Sequence, residues 1–100
     1  QKNAVIHFFL MLVSVVFGVL LDISSIEWVL IIICSGMVMA AEAFNTALEK
    51  MADTLHPEKN DGIGSAKDLA AGSVLITAIA ALVIGIIIFA PKLHIWIKSI

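Results

Sequence analysis

The sequence lacks arginine and tyrosine, and it contains one cysteine and two prolines. Charged residues fill 14% of its 100 positions, well below the roughly 25% of an ordinary soluble domain. The missing arginines and the net charge of −2 exclude a nucleic-acid-binding surface. Because the single cysteine, Cys34, cannot form an internal disulfide, a disulfide-rich secreted scaffold is excluded as well.

Hydrophobic residues make up 61% of the chain, which also excludes a disordered tail. A globule of this size leaves much of its surface exposed, so it cannot bury this many apolar side chains in a core of its own. Three apolar runs each reach the roughly 17–25 residues that cross a bilayer. We therefore predict an all-α integral membrane protein, a single domain over residues 1–100 with transmembrane helices at about 5–23, 26–55 and 66–90.

Short polar segments separate the three runs and predict where the helices begin and end. Ser24 and Glu27 have the spacing of a capping box, which predicts the start of the second helix. No helix breaker follows before Pro57, so this helix is about 45 Å long and projects beyond the ~30 Å hydrocarbon layer. A similar capping pattern at 65–68 predicts the start of the third helix, and Pro91 predicts its end.

Charge is concentrated in one of the two connections. Eight of the fourteen charged residues, three of them lysines, lie at 49–68. The other connection carries Asp22 and Glu27 and has no lysine. Because cytoplasmic loops hold the excess of lysine and arginine, we expect the loop at about 55–65 to be cytoplasmic.

Four polar residues of the second helix form a stripe: Glu42, Asn45, Glu49 and Asp53 lie at positions i, i+3, i+7 and i+11. At 100° per residue they fall within about 80° of one another on the helix. Glu42 is expected near the membrane boundary, where an ionisable side chain points to function. For Asp53, a solvated face of a protruding helix explains the pattern equally well.

These residue types together suit phosphoryl transfer at a membrane surface. Carboxylate and amide oxygens are ligands for Mg²⁺, and removal from water makes a carboxylate a better proton acceptor for a hydroxyl group. Lys67 is expected at the start of the third helix, where free backbone N–H groups favour a phosphate. Neither a P-loop nor a glycine-rich nucleotide motif is present in the sequence.

Residues 41–49 (AEAFNTALE), Asp53, the step Pro57-Glu58 and residues 66–72 (AKDLAAG) resemble the prokaryotic diacylglycerol kinase family, which includes the undecaprenol kinases of Gram-positive bacteria. The similarity extends over the whole chain. It implies a multi-pass lipid kinase of the bacterial cytoplasmic (inner) membrane that uses ATP and Mg²⁺ on a lipid within the bilayer. It further implies a helical-bundle homotrimer with active sites between subunits.

The resemblance also implies roles for single residues. Glu42 matches the catalytic base close to the acceptor hydroxyl, and Asn45 matches a further residue of the catalytic site. Glu49 matches a metal ligand that also contacts the nucleotide. The remaining nucleotide-binding positions that it implies are Asp53, Glu58, Lys59, Asn60, Lys67 and Asp68.

The chain departs from the family pattern at two places. Gln1 stands where many members have a second metal-coordinating glutamate, and an amide ligates through oxygen without adding charge. Lys59 and Asn60 follow Glu58 where the family more often has Tyr-His. Since the chain does not begin with Met, we expect an N-terminal stretch to be missing from it. The amphipathic surface helix that precedes the first span in the family is absent from this sequence, either because it was trimmed or because the protein is a shortened member. We expect no signal peptide, because no small-residue cleavage site follows the first apolar run.

Two functions of other classes remain open. A small oligomeric transporter or channel would use Glu42 as an ion site, but the polar residues crowd at one membrane face and leave the first and third spans without a midplane group. A membrane scaffold would use the charged loop to bind a soluble partner, which leaves the alignment of the stripe unexplained. Within the kinase interpretation, the acceptor lipid is either undecaprenol or diacylglycerol.

Overall fold

The computed structural model describes residues 2–100, so the predicted metal ligand Gln1 lies outside the described residues. It contains three α-helices: α1 (Lys2–Leu20), α2 (Ser25–Leu55) and α3 (Asp61–Lys98). Each is long and apolar enough to cross a membrane, which confirms the predicted fold class. The molecule is 59 Å long, about twice the ~30 Å thickness of a hydrocarbon layer, so its ends project from the membrane.

The first helix ends earlier than the predicted span at about 5–23, for a local reason. Asp22 takes a left-handed backbone conformation, with φ of 52°, which ends the helix. The N–H groups of Asp22 and Ile23 then donate to the carbonyls of Val19 and Gly18, at 3.3 and 3.1 Å, which is the Schellman arrangement of a helix C-terminus.

The second helix begins and ends as predicted. The Ser24 side chain accepts from the Glu27 N–H at 3.2 Å, and the Glu27 carboxylate accepts from the Ser24 N–H at 2.9 Å. Both halves of the capping box are therefore present. Its 31 residues reach about 46 Å and carry the stripe residues on one continuous helix.

The third helix is longer than predicted at both ends. It is capped by Asn60, whose side-chain oxygen accepts from the Ile63 N–H at 3.1 Å, so the predicted start at 65–68 is wrong and Ser65 lies inside the helix. The predicted end at Pro91 is wrong too, because the helix continues to Lys98. A proline deprives a helix of one backbone hydrogen bond. The next residue, Lys92, forms an ion pair with Glu27 at 3.2 Å, which ties this part of α3 to the first turn of α2.

The helices pack as antiparallel neighbours, with α2 in the middle and its main contacts to α3. The small core joins Ile23, Ile31 and Ile88, and the Trp28 ring packs against it. Gly18 lies against this ring, since a Cβ atom there would come within 2.6 Å of it. Most of the large apolar side chains on the described helices are exposed in the single chain, as expected for a protein that contacts lipid or other subunits.

Candidate active site

The polar stripe of α2 runs from a buried to an exposed environment. Glu42 is 5% exposed and is the one buried charged residue among those described. Asn45 and Glu49 are half-buried, whereas the Asp53 side chain is 67% exposed. Because eleven residues separate Glu42 from Asp53, this change takes place over about 16 Å of helix. The stripe therefore connects a solvent-exposed end to a protected carboxylate.

A histidine on α1 covers the buried end of the stripe. His7 Nδ1 lies 3.4 Å from Glu42 Oε2, and the two side chains are 18% and 7% exposed. Sequence reasoning missed this contact, because it depends on how α1 packs on α2. The one signal in the sequence is that His7 and Ser14 are the polar interruptions of the first apolar run.

Three buried polar atoms at this end have no hydrogen-bond partner within the part of the chain that the structure describes: His7 Nδ1, Glu42 Oε2 and Asn45 Oδ1. The 3.4 Å contact does not have hydrogen-bond geometry. Since an unsatisfied buried polar group typically costs about 1–3 kcal/mol, such groups rarely cluster without a ligand or a functional reason. The cluster is therefore the strongest candidate for the place where chemistry occurs.

The exposed end of the stripe meets Lys67 of α3. Lys67 Nζ donates to Asp53 Oδ1 at 2.8 Å, so the fold brings together two residues that lie fourteen positions apart in the sequence. Because α3 begins at Asp61, Lys67 lies in the second turn rather than beside the free N–H groups at the helix start. Lys67 would therefore attract a phosphate through the positive charge of its own side chain and not through the N-terminus of the helix. A cavity of about 220 Å³ opens beside this pair, between the end of α2 and the start of α3.

The other predicted nucleotide residues lie apart from the stripe. Glu58 contacts His56 at 3.2 Å, and Asn60 caps α3. Lys59 and Asp68 are exposed. Within residues 2–100, no hydrogen bond or ion pair joins any of these four predicted residues to the stripe.

Comparison with known proteins gives the relatives of this chain. Residues 1–89 match the family model described as prokaryotic diacylglycerol kinase. The chain is 33% identical over 93 residues to an undecaprenol kinase of Bacillus subtilis, an alignment that covers 93% of this chain and 76% of that protein. It is 36% identical over 94 residues to a diacylglycerol kinase of Synechocystis, covering 93% of this chain and 54% of the relative. No solved structure matches the chain.

A diacylglycerol kinase of Escherichia coli is 36% identical over 72 residues, which is 72% of this chain and 59% of that protein. The chain thus spans about three quarters of the length of the Bacillus protein and a little over half of the other two. These relatives are named as kinases, so the transporter and scaffold alternatives receive no support from them. The family match over residues 1–89, together with three helices that can cross a membrane, shows that the chain belongs to the prokaryotic diacylglycerol kinase family of membrane lipid kinases.

Proposed function

We propose that this chain transfers the γ-phosphate of ATP to the hydroxyl group of a membrane lipid. A kinase family implies ATP as the phosphoryl donor. The observation that carries the proposal for this chain is the change in burial along the stripe, from exposed Asp53 to Glu42 at 5% exposure. ATP is a polar molecule that arrives from water, whereas the acceptor is dissolved in lipid. A site that binds both molecules needs a polar path that leads from water to an end that is protected from water.

Glu42 is the proposed base. The acceptor hydroxyl oxygen forms a bond to the γ-phosphorus, the bond from that phosphorus to the bridging oxygen of ADP breaks, and the hydroxyl proton passes to the Glu42 carboxylate. Exclusion of water around Glu42 favours this step, because it limits hydrolysis of ATP. Asn45, one turn away with an unsatisfied buried oxygen, lies on the same side of the helix.

Lys67 and Glu49 are the proposed groups for the phosphates and their metal ion. Lys67 offers a positive charge to phosphate oxygens, and Asp53 holds that charge in place at 2.8 Å. The described residues contain no cluster of three potential metal ligands. One carboxylate still fits Mg²⁺, because this ion keeps several waters and takes further oxygens from substrate phosphates. Glu49 and the unpartnered oxygen of Asn45 would hold it, and bound Mg²⁺ would neutralise charge on the phosphates.

The nucleotide is proposed to enter from the cytoplasm. The Asp53–Lys67 pair lies next to the connection 56–60, in the segment with three of the chain's lysines. By the positive-inside rule, such a segment lies on the cytoplasmic side of the bacterial inner membrane, where ATP is available. The Glu27–Lys92 pair then lies at the opposite membrane face.

A homotrimer is proposed because the single chain leaves open a face of α2 that differs from the face of the stripe. Gly36, Ala40, Ala43 and Ala47 form a row of small residues, and all four are exposed. At 100° per residue this row lies about 145° around the helix from the stripe. Small residues allow close helix contact in lipid. The row of one subunit packing beside the stripe of the next would close a ring and exclude water from each site.

The proposed trimer can be tested by measuring the mass of the assembled protein. Native mass spectrometry from detergent or nanodiscs is expected to show three chains. Ala43→Leu and Ala47→Leu are expected to weaken that assembly, because a large side chain prevents close helix approach. A fully active chain of monomeric mass would contradict the proposal.

The function itself is tested by following radiolabel from γ-labelled ATP into extracted lipid. Purified protein is offered undecaprenol and diacylglycerol side by side in the same micelles. We expect label in at least one lipid, and we expect removal of Mg²⁺ with a chelator to stop the transfer. The Glu42→Gln variant serves as the matched negative control. Absence of lipid label with both acceptors, from folded protein that binds ATP, would refute the proposed activity.

A further inference from the structure

The contact between His7 and Glu42 has so far no role in the function proposed for Glu42, Glu49 and Lys67. It joins α1 to the buried end of the stripe, 3.4 Å from Nδ1 to Oε2. Among the described residues it is the one polar side-chain contact between α1 and α2. The other polar side chain within the first apolar run, Ser14, donates instead to the Leu10 carbonyl of its own helix at 3.0 Å. His7 therefore has a distinct position relative to the proposed base.

Packing alone does not explain this arrangement. Both atoms are buried, and neither has a hydrogen-bond partner in the described part of the chain. A neutral imidazole donates from one ring nitrogen, and a carboxylate accepts on either oxygen, so the two groups are chemically complementary. The contact is about 0.2 Å longer than the usual N–H···O range, and it is not aligned as a hydrogen bond. Such bonds at active sites are often long without substrate and shorten once it binds.

We propose that His7 is a positioning residue for Glu42. Its Nδ1–H donates to Oε2 and fixes the orientation of the carboxylate, which leaves Oε1 to accept the proton of the lipid hydroxyl. A base that is held by a third group is a recurring arrangement in enzymes that activate a nucleophile. The proposal rests on the proposed function, since it gives His7 a role in the same proton transfer.

The test compares two amides that place an N–H at different distances from the backbone. In Asn the amide nitrogen is two bonds from Cβ, as Nδ1 is in His, whereas in Gln it is three bonds away, as Nε2 is. We expect His7→Ala and His7→Gln to lower kcat by roughly tenfold to a hundredfold, since small displacements of a reacting group cost about that much. His7→Asn is expected to restore most of the rate. The KM for ATP should stay within about twofold of wild type in all three variants.

Several results would overturn the inference. One is a kcat for His7→Ala within twofold of wild type, and another is a His7→Asn rate no better than that of His7→Gln. A rise in KM for ATP without a loss of kcat would place His7 at the nucleotide instead. If His7 acts through Glu42, His7→Ala should lower the residual rate no further in the Glu42→Gln background. Independent losses that multiply would show that His7 acts elsewhere.

A second measurement does not depend on activity. The ¹⁵N chemical shifts of the His7 ring, in selectively labelled protein, report which nitrogen carries the proton and whether it is hydrogen-bonded. We expect these shifts to change in Glu42→Gln, and unchanged shifts would contradict the contact. If lipid phosphorylation depends on Glu42 but not on His7, the inference fails while the proposed function stands. If the wild-type protein phosphorylates no lipid, the proposed function fails and the role of His7 fails with it.

Discussion

Replacing Glu42 by Gln is expected to lower kcat by about 10²–10⁴-fold, the usual contribution of a general base. Gln keeps the size and hydrogen-bonding capacity of Glu but cannot accept the proton of the lipid hydroxyl. Because Glu42 is 5% exposed, no water-borne base readily takes its place. ATP affinity should change little, since the proposed partner of Glu42 is the acceptor hydroxyl and not a phosphate, and Gln keeps the size of Glu. Single-turnover rates and ATP binding, measured separately, check both parts.

Glu27→Gln provides the control for this experiment. Glu27 lies on the same helix and is partly buried, but it caps the start of α2 and pairs with Lys92 at the opposite end of the bundle. We expect its loss to affect the helix terminus and to leave kcat unchanged. Near-normal turnover in Glu42→Gln would remove Glu42 from the role of base. An equal loss in both variants would indicate that the mutations act through the fold.

Helix boundaries could be predicted from the sequence where a single local signal was present. The capping box of Ser24 and Glu27 is such a signal, and the structure contains both of its hydrogen bonds. For α3 the sequence predicted a cap at Ser65, whereas the structure caps the helix with Asn60, five residues earlier. The choice between them depends on packing, because the earlier start adds a turn that brings Ile63 against the end of α2, at the cavity beside Lys67. A local pattern does not contain that information.

The same distinction applies to the candidate site. The stripe from Glu42 to Asp53 follows from helical periodicity alone, so sequence reasoning found it. The pairing of Lys67 with Asp53 agrees with the short connection that joins the two antiparallel helices. The contact of His7 with Glu42 was missed because it depends on the register of α1 against α2, which no local pattern specifies. The burial of Glu42 likewise results from two helices packing together, although the apolar neighbours on α2 pointed towards it.

Replacing Lys67 by Ala is expected to weaken ATP binding by about tenfold to a hundredfold, the range for losing a charge-assisted hydrogen bond to a phosphate. The loss should be larger than for a freely moving lysine, because Asp53 already holds the ammonium group at 2.8 Å and little side-chain entropy remains to be lost on binding. Weaker binding appears as a higher Kd for ATP in equilibrium titrations and as a higher KM in the lipid assay.

Lys92→Ala is the matched control, because Lys92 lies on the same helix and is also held by a carboxylate, Glu27, at 3.2 Å. Lys67 and Lys92 are twenty-five residues apart, which is about 38 Å of helix and more than the ~30 Å hydrocarbon layer. The two lysines therefore lie at opposite membrane faces, and a nucleotide that enters from one face reaches only one of them. Lys67→Ala should raise the Kd for ATP while Lys92→Ala leaves it unchanged. Equal affinity in all three proteins would refute the assignment of Lys67, and a loss confined to Lys92→Ala would place the nucleotide at the other face and reverse the proposed topology.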